Sequence, residues 1–459
     1  MSQRDFGWFG IFRLGLVQAA LGAVVVLTTS TLNRVMVVEL ALAAMIPGAL
    51  VTLHHAMQLL RPRMGFGSDL GQRRTPWIVF GMAALASGGL GAAVSIAVMP
   101  ASMMLGLALA MVSYALIGGG VSACGTSLLV LMAKRVAAPR RAAAATVVWM
   151  MMIVGFAVTA TLAGKLLDPF STLRLVAVAA GISGIAFAVT LVAMWRLEPA
   201  DSPADLLAGS LSTSGAVAEP TDDRSEFLMA LRQVWSEPDA RRFTLFVFVS
   251  MLAYSAQDLI LEPFAGAVYG WTPGESTQLA GSQHAGVFIG MLLVAIVTTV
   301  FKGTPIASLK GWVIGGCLAS AAAMLGLVLA GVAGGGSWPL EKNVFLLGVA
   351  NGAFSIAAIA SMMTLASHGR GAREGTRMGL WGAAQAIAFG LGGFLGTALV
   401  DVAQWIGGAS GLPYAFVFGL EALGFVVASW LALKTSFGRS AAPRKRVAVP
   451  AGVLAESRT

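Results

Sequence analysis

Apolar residues in this chain are gathered into long unbroken runs separated by short polar connections. Twelve runs fall at residues 14–33, 38–60, 76–98, 102–132, 143–166, 173–195, 243–263, 277–301, 309–334, 341–366, 376–400 and 412–434. A run of about 20 apolar residues crosses the hydrocarbon core as a helix, whereas a membrane barrel shows short alternating segments. The pattern therefore predicts an all-α polytopic membrane protein with twelve spans. The rhythm breaks at Glu198 to Asp239, a stretch rich in Pro, Ser, Asp and Glu. This divides the chain into a six-helix half (1–197), a linker (198–240), a second six-helix half (241–436) and a basic tail (437–459). Within the linker, Phe227, Leu228, Leu231, Val234 and Trp235 fall near one helical face and predict a short surface helix, with Ser225 or Asp223 as its cap. The opening segment, Ser2 to Arg13, carries Phe6, Trp8, Phe9 and Phe12 and suits a membrane interface.

Composition supports the class: 57% of the 459 residues are hydrophobic and 11% charged, with a mean hydropathy of +0.81. The 56 glycines allow spanning helices to approach closely where no hydrophobic force draws them together. Charge placement predicts orientation. With the N-terminus cytoplasmic, the external connections hold only Arg34, Lys165, Arg174 and Lys342 of the 30 Lys and Arg. The positive-inside rule then places both termini in the cytoplasm. The net charge of +9 is accounted for by insertion and by membrane lipid headgroups, and nucleic acid is not an expected partner. Cys124 and Cys317 lie far apart inside apolar runs and read as inert buried thiols.

Ionisable groups inside spans are costly unless they face a cavity or a partner, so they mark where to look for function. Asp258 and Glu262, four apart with Gln257 beside them, share one face of the seventh span. They can bind a cation or proton, or pair with Arg34 or Lys342; the competing reading is a water-exposed helix end stopped by Pro263. Asn33, Arg34 and Glu39 read as a solvated outer turn between the first two spans. His54, His55 and Gln58 lie in the second span, and Gln283 and His284 in the eighth. No carboxylate cluster accompanies these histidines, so a dedicated metal site is not expected, and each also fits a hydrogen-bonded packing role. The sequence contains no nucleophile elbow, phosphate loop or nucleotide fingerprint, and no enzymatic chemistry is expected.

Two further patterns point to a family. In the loop Arg61 to Trp77, Gly65, Asp69, Arg73 and Arg74 approximate the G-x-x-x-D-x-x-G-R-R signature found between the second and third spans of major facilitator transporters; Gln72 stands where that signature has glycine. Arg141, Trp149 and Asp168 in one half are echoed by Arg373, Trp381 and Asp401 in the other, as parallel repeats predict. The strings 13–18, 31–40, 61–78, 257–263 and 377–386 resemble the PucC and LhaA family, the bacteriochlorophyll-delivery branch of the major facilitator superfamily. That resemblance implies a major facilitator fold. It also implies assembly of light-harvesting antenna complexes in the cytoplasmic (photosynthetic) membrane, with antenna polypeptides and bacteriochlorophyll or its synthase as partners. An ordinary alternating-access carrier is the competing function. If bacteriochlorophyll is the cargo, its magnesium needs one axial ligand and its oxygens need donors. His54, His55, Gln58, Gln257, Asp258, Glu262, Gln283 and His284 are candidate contacts, with Trp381 to stack on the ring and Gln385 as an amide donor.

Overall fold

The computed structural model describes residues 6–60, 73–137, 140–198, 232–233, 235–368, 374–407 and 410–435. Gly65 and Asp69, nearly all of the predicted surface helix and the basic tail lie outside the described residues.

The twelve apolar runs become twelve helices in chain order. They are α1 (Trp8–Glu39), α2 (Met45–Met57, tightened into a 3-10 turn at Gln58–Leu60), α3 (Thr75–Val98), α4 (Met103–Arg135), α5 (Arg141–Leu167) and α6 (Thr172–Met194). After the break come α7 (Pro238–Tyr269), α8 (Pro273–Val300), α9 (Leu309–Val332), α10 (Leu340–His368), α11 (Glu374–Ile406) and α12 (Leu412–Lys434). Among the described residues, eleven of these are long and apolar enough to cross a membrane, and α2 is the short one. Hydroxyl caps open several of them, as local sequence dictates: Ser171 on α6, Ser308 on α9, and on α8 a reciprocal box between Thr272 and Glu275.

One expectation changes near the start of the chain. Trp8 to Arg13 of the opening segment form the first turns of α1, exposing Phe9, and Arg13 donates to the carbonyls of Ala193 (2.8 Å), in α6, and Trp195, just after it. Asn33 and Arg34, however, do not form an outer turn. The helix runs through them with π-helical stretches at Leu27–Leu32 and Val35–Glu39, and the chain reverses only at residues 40–44, where Ala41 takes a φ of 52°. The wider π turns carry polar side chains against the second half of the molecule, where they find partners, so the helix need not end at the first charge.

Side chains form two main cores. One, built from α1 to α6, contains Leu14, Leu21, Leu85, Tyr114 and Leu128, and Leu259 of α7 joins it. The other, built from α7 to α12, is richer in aromatic residues, with Phe264 set against Tyr414 and Phe418, and Phe354 against Phe425. Smaller clusters bridge the halves: Val26, Ala160 and Ala280 join α1, α5 and α8, while Ile153 packs on Val287 and Met291. A second seam runs between α2 and α11. There a Cβ added to Gly48 would sit 2.1 Å from the hydroxyl of Thr397, so the absence of a side chain sets the approach of the two helices.

Candidate functional site

Pro263 is the element from which the interior polar site follows. Proline has no N–H, so it cannot bond the carbonyl of Leu259 one turn back, and that carbonyl must find another donor. The side chain of Asn33 supplies it, its Nδ2 donating to Leu259 O at 2.7 Å across the boundary between halves. Pro263 therefore lies inside α7, which continues to Tyr269, and the reading of Asp258 and Glu262 as a water-exposed helix end is corrected. Glu262 is 2% exposed. Arg34, next to Asn33, is also 2% exposed and donates to Glu39 Oε1 (2.5 Å), the carbonyl of Trp271 (2.6 Å) and Ser276 Oγ (3.3 Å). Its charge is thus used mainly on Glu39 and on the turn between α7 and α8. Lys342, the other cation considered for these carboxylates, is exposed at the start of α10.

One residue of this site was not foreseen. Glu421, in the middle of α12, is 5% exposed and neither carboxylate oxygen has a hydrogen-bond partner. Helix α12 lies against α7, with Phe418 on Phe264 and Gly424 beside Ala253, so Glu421 falls level with the polar turn of α7. It lies within the field of Asp258. The signal was present in the sequence, since Glu421 is the sole carboxylate of the last apolar run. From α8, the amide of Gln283 reaches Asp258 Oδ1 at 3.5 Å. The structure thus brings together Gln257, Asp258, Glu262 and Gln283, and adds Asn33, Arg34 and Glu421.

The histidines occupy two other places. His54 and His55 meet edge to face at 4.8 Å between ring centres, and the Gln58 amide nitrogen contacts His54 Nε2 at 3.0 Å and His55 Nδ1 at 3.3 Å. As an amide donates through nitrogen, both rings accept from Gln58. Beyond His55 the ring of Phe389 follows at 5.8 Å and that of Tyr254 at 5.9 Å from Phe389, which leads to Asp258 one turn along α7. His284 stands apart, against Phe156 of α5 at 4.9 Å, with Nδ1 2.8 Å from the carbonyl of Ala280. A carbonyl only accepts, so Nδ1 carries the proton and Nε2 keeps its lone pair. Trp381 is 1% exposed, packed on Phe243 at 4.8 Å with its N–H toward Ala240 O, and presents no open face for stacking in this arrangement. Gln385, one turn on, is half-buried.

Acidic side chains at the periphery hold helix starts. Glu198 Oε2 accepts from the backbone N–H groups of Arg74 and Thr75, both at 2.8 Å, at the start of α3, beside exposed Arg73. The repeat-related aspartates do matching work at the end of the bundle where Glu39 and Trp271 lie. Asp401 accepts from the N–H groups of Ala44 (2.8 Å) and Met45 (2.7 Å) at the start of α2, and Asp168 accepts from Thr272 Oγ1 (3.2 Å) at the start of α8. Each links one half to the other. A cavity of about 630 Å³ opens there, lined by Val38, Leu42, Asp401, Gln404, Trp405 and Tyr414 among others.

Known proteins share this architecture, and others resemble this sequence. The chain superposes on a peptide transporter, POT, in complex with sulfate (TM-score 0.61, 14% identity, 94% of this chain and 96% of that one). It superposes equally on an inward-facing, unoccupied bacterial homologue of the human lysosomal transporter Spinster (TM-score 0.63, 15% identity, 93% and 98%). At these identities the likeness establishes the fold, the twelve-helix arrangement of major facilitator transporters, and with the long apolar helices it makes this a multi-pass membrane protein. In sequence the chain is 48% identical, over 95% of its length and 97% of the relative's, to the bacteriochlorophyll synthase 44.5 kDa chain of Rhodobacter capsulatus. It is 27% identical to Protein PucC of Cereibacter sphaeroides (90% and 88%) and 28% identical to Protein PucC of Rhodobacter capsulatus (91% and 90%). The model of the PUCC protein family matches residues 31–439, and with these relatives it establishes that the chain belongs to that family.

Proposed function

We propose that this protein holds a bacteriochlorophyll-type tetrapyrrole at the seam between its two halves and passes it to light-harvesting antenna polypeptides during their assembly. It works in the cytoplasmic membrane with both termini on the cytoplasmic side, a topology that the distribution of Lys and Arg supports. The observation that carries the reading is the contact of His284 Nδ1 with the carbonyl of Ala280, which in the neutral ring leaves Nε2 free to accept. That open Nε2 lone pair suits the single axial position of a macrocycle-bound magnesium, and the Nδ1–H bond to Ala280 orients the ring as an outer partner orients a metal ligand. Around it the α5–α8 seam is apolar and adaptable, with Met150, Met152, Phe156, Phe288 and Met291. His54 and His55 fit the ligand role less well, because Gln58 engages a lone pair on each. The name of the 48% relative supports a site of action beside the pigment synthase. The chain's own part in that pairing is carriage, without catalysis.

The test is bacteriochlorophyll bound per protein after purification from pigment-producing cells, with antenna assembly scored in parallel. His284→Leu is expected to lose most of the pigment, and His54→Leu and His55→Leu to keep it. Parental pigment and assembly in all three variants would remove the histidine-ligand reading. A second reading, an alternating-access carrier for a hydrophobic or tetrapyrrole solute, is favoured by the polar residues buried between the halves, and predicts solute uptake by proteoliposomes.

A further inference from the structure

The interior polar site contains an imbalance that pigment binding does not explain. Among the described residues on neighbouring turns of α1, α7 and α12, the buried atoms without a hydrogen bond of good geometry are Asn33 Oδ1, both amide atoms of Gln257, Glu262 Oε2 and both carboxylate oxygens of Glu421, with Ser30 Oγ beside Glu262. Most of these accept, and one amide nitrogen and one hydroxyl can donate. Gln257 is completely buried and its amide lies beside Asp258 without a hydrogen bond of good geometry. Buried acceptors are costly in hydrocarbon unless a donor meets them, and here they outnumber the donors, so what completes the site must donate or be positively charged.

Charge leads to the same requirement. Asp258, Glu262 and Glu421 amount to three carboxylates against one cation, Arg34, whose charge reaches Glu262 while its guanidinium is bonded to Glu39. The remaining titratable groups facing the cluster are few. Tyr254 of α7 is within the field of Asp258, and Tyr414 lies toward the far end of α12, near Asp401 of α11. From α8 comes neutral Gln283, while neighbouring His284 turns to Ala280 and Phe156. Helix α11 between Leu380 and Val400 contributes no ionisable group. Among the described residues, no three acidic or histidine side chains converge as metal ligands do, which favours separate protons over one metal ion.

We propose that Asp258, Glu262 and Glu421 form a proton-binding site between the halves, and that their ionisation drives the halves apart. The site spans the boundary, because Ser30, Asn33 and Arg34 belong to the first half and the carboxyl groups to the second. In the packing seen here the three carboxylates share the one charge of Arg34, so ionised Asp258 or Glu421 would be dry, and ionised neighbours would repel one another. Separation of the halves admits water and removes that penalty, so proton loss favours the open arrangement and proton binding the packed one. This goes beyond pigment carriage and stands or falls without it.

Spin-label pairs report the equilibrium in the full-length protein. Leu173→Cys with Trp405→Cys measures one end of the bundle and Trp195→Cys with Ile306→Cys the other; all four positions are exposed, and native Cys124 and Cys317 are buried. Between about pH 5.5 and about pH 8.5, values on either side of neutrality, the parental distance distribution is expected to move by several ångströms at one end at least. The variant Asp258→Asn, Glu262→Gln, Glu421→Gln is expected to stay at the parental low-pH distribution at both values. Glu421→Gln alone is expected to reduce the shift, and serves if the triple variant does not fold. Parental distances that ignore pH, a full shift retained in the variants, or a shift reproduced by sodium at constant pH would each overturn the proposal.

Discussion

Arg34 shows how one side chain can be misplaced by its local context and secured by its distant one. A guanidinium within an apolar run is expensive, yet here it meets a carboxylate, a carbonyl and a hydroxyl in fixed directions, which suits the fork of Arg and not the single point of Lys. Arg34→Ala leaves the carbonyl of Trp271 and Glu39 without a partner. Glu39 is 36% exposed and recovers some hydration, so the expected loss is about 2 to 3 kcal/mol, below the full cost of breaking a buried pair. Thermal unfolding in detergent should show the loss in Arg34→Ala and no recovery in Arg34→Lys. A lysine variant as stable as the parent would mean that charge alone matters. Asn33 and Glu421 teach the same lesson in two ways. The first was visible and assigned to the wrong environment, because its partner, Leu259, lies 226 positions away. The second is a lone carboxylate in an apolar run with no neighbour to mark it, whereas the i, i+4 spacing of Asp258 and Glu262 makes that pair easy to read.

At the scale of elements, abundant glycine predicted close helix contacts without saying where they are. The contact of α8 with α10 shows it: a Cβ on Gly290 would lie 2.1 Å from the carbonyl of Val349, and one on Gly352 2.0 Å from that of Val287. Two glycines four residues apart on α8, Gly286 and Gly290, face Gly348 and Gly352 on α10, so each backbone rests in the groove of the other. Gly290→Val or Gly352→Val must push the helices apart at a place where carbonyl groups cannot yield, and about 3 kcal/mol of destabilisation is expected, the upper end for overpacking. Gly184 of α6 has nothing within 4 Å of its added Cβ, and Gly184→Val is the control. The yield of monodisperse protein on gel filtration should fall for the first two and hold for the third; equal yields would show that this crossing is not tight. Pro263 belongs to the same scale. A helix stop at Pro263 is one of the two readings that the local sequence allows, and an interior donor from another helix removes the reason to stop.

For the whole molecule, the two halves are joined at one end by paired contacts. Asp401 reaches from α11 to the start of α2, and Asp168 from the end of α5 to the start of α8. The echo of these two aspartates in the sequence has a structural counterpart, whereas the matching tryptophans differ, Trp149 being partly exposed and Trp381 enclosed. Orientation is the property to test at this scale. Reporter fusions at Gly209, in the central break, and at Gly334, after α9, should report opposite compartments, with Gly209 cytoplasmic. The same compartment at both would refute the twelve-span topology with cytoplasmic termini.

The number and order of the helices could be read from the chain because the cost of placing 20 residues in hydrocarbon depends on those residues and little else. Family membership was legible from strings such as 31–40 and 257–263, and the PUCC family model matches residues 31–439, which include both. Those two strings lie far apart in the chain, and only the tertiary structure shows that they meet, with Asn33 on Leu259 and Arg34 on the turn after α7. Whether a buried polar group is a liability or a site depends on partners supplied by other helices. Burial in a span is written locally, but hydrogen-bond partners are decided by how the two halves pack.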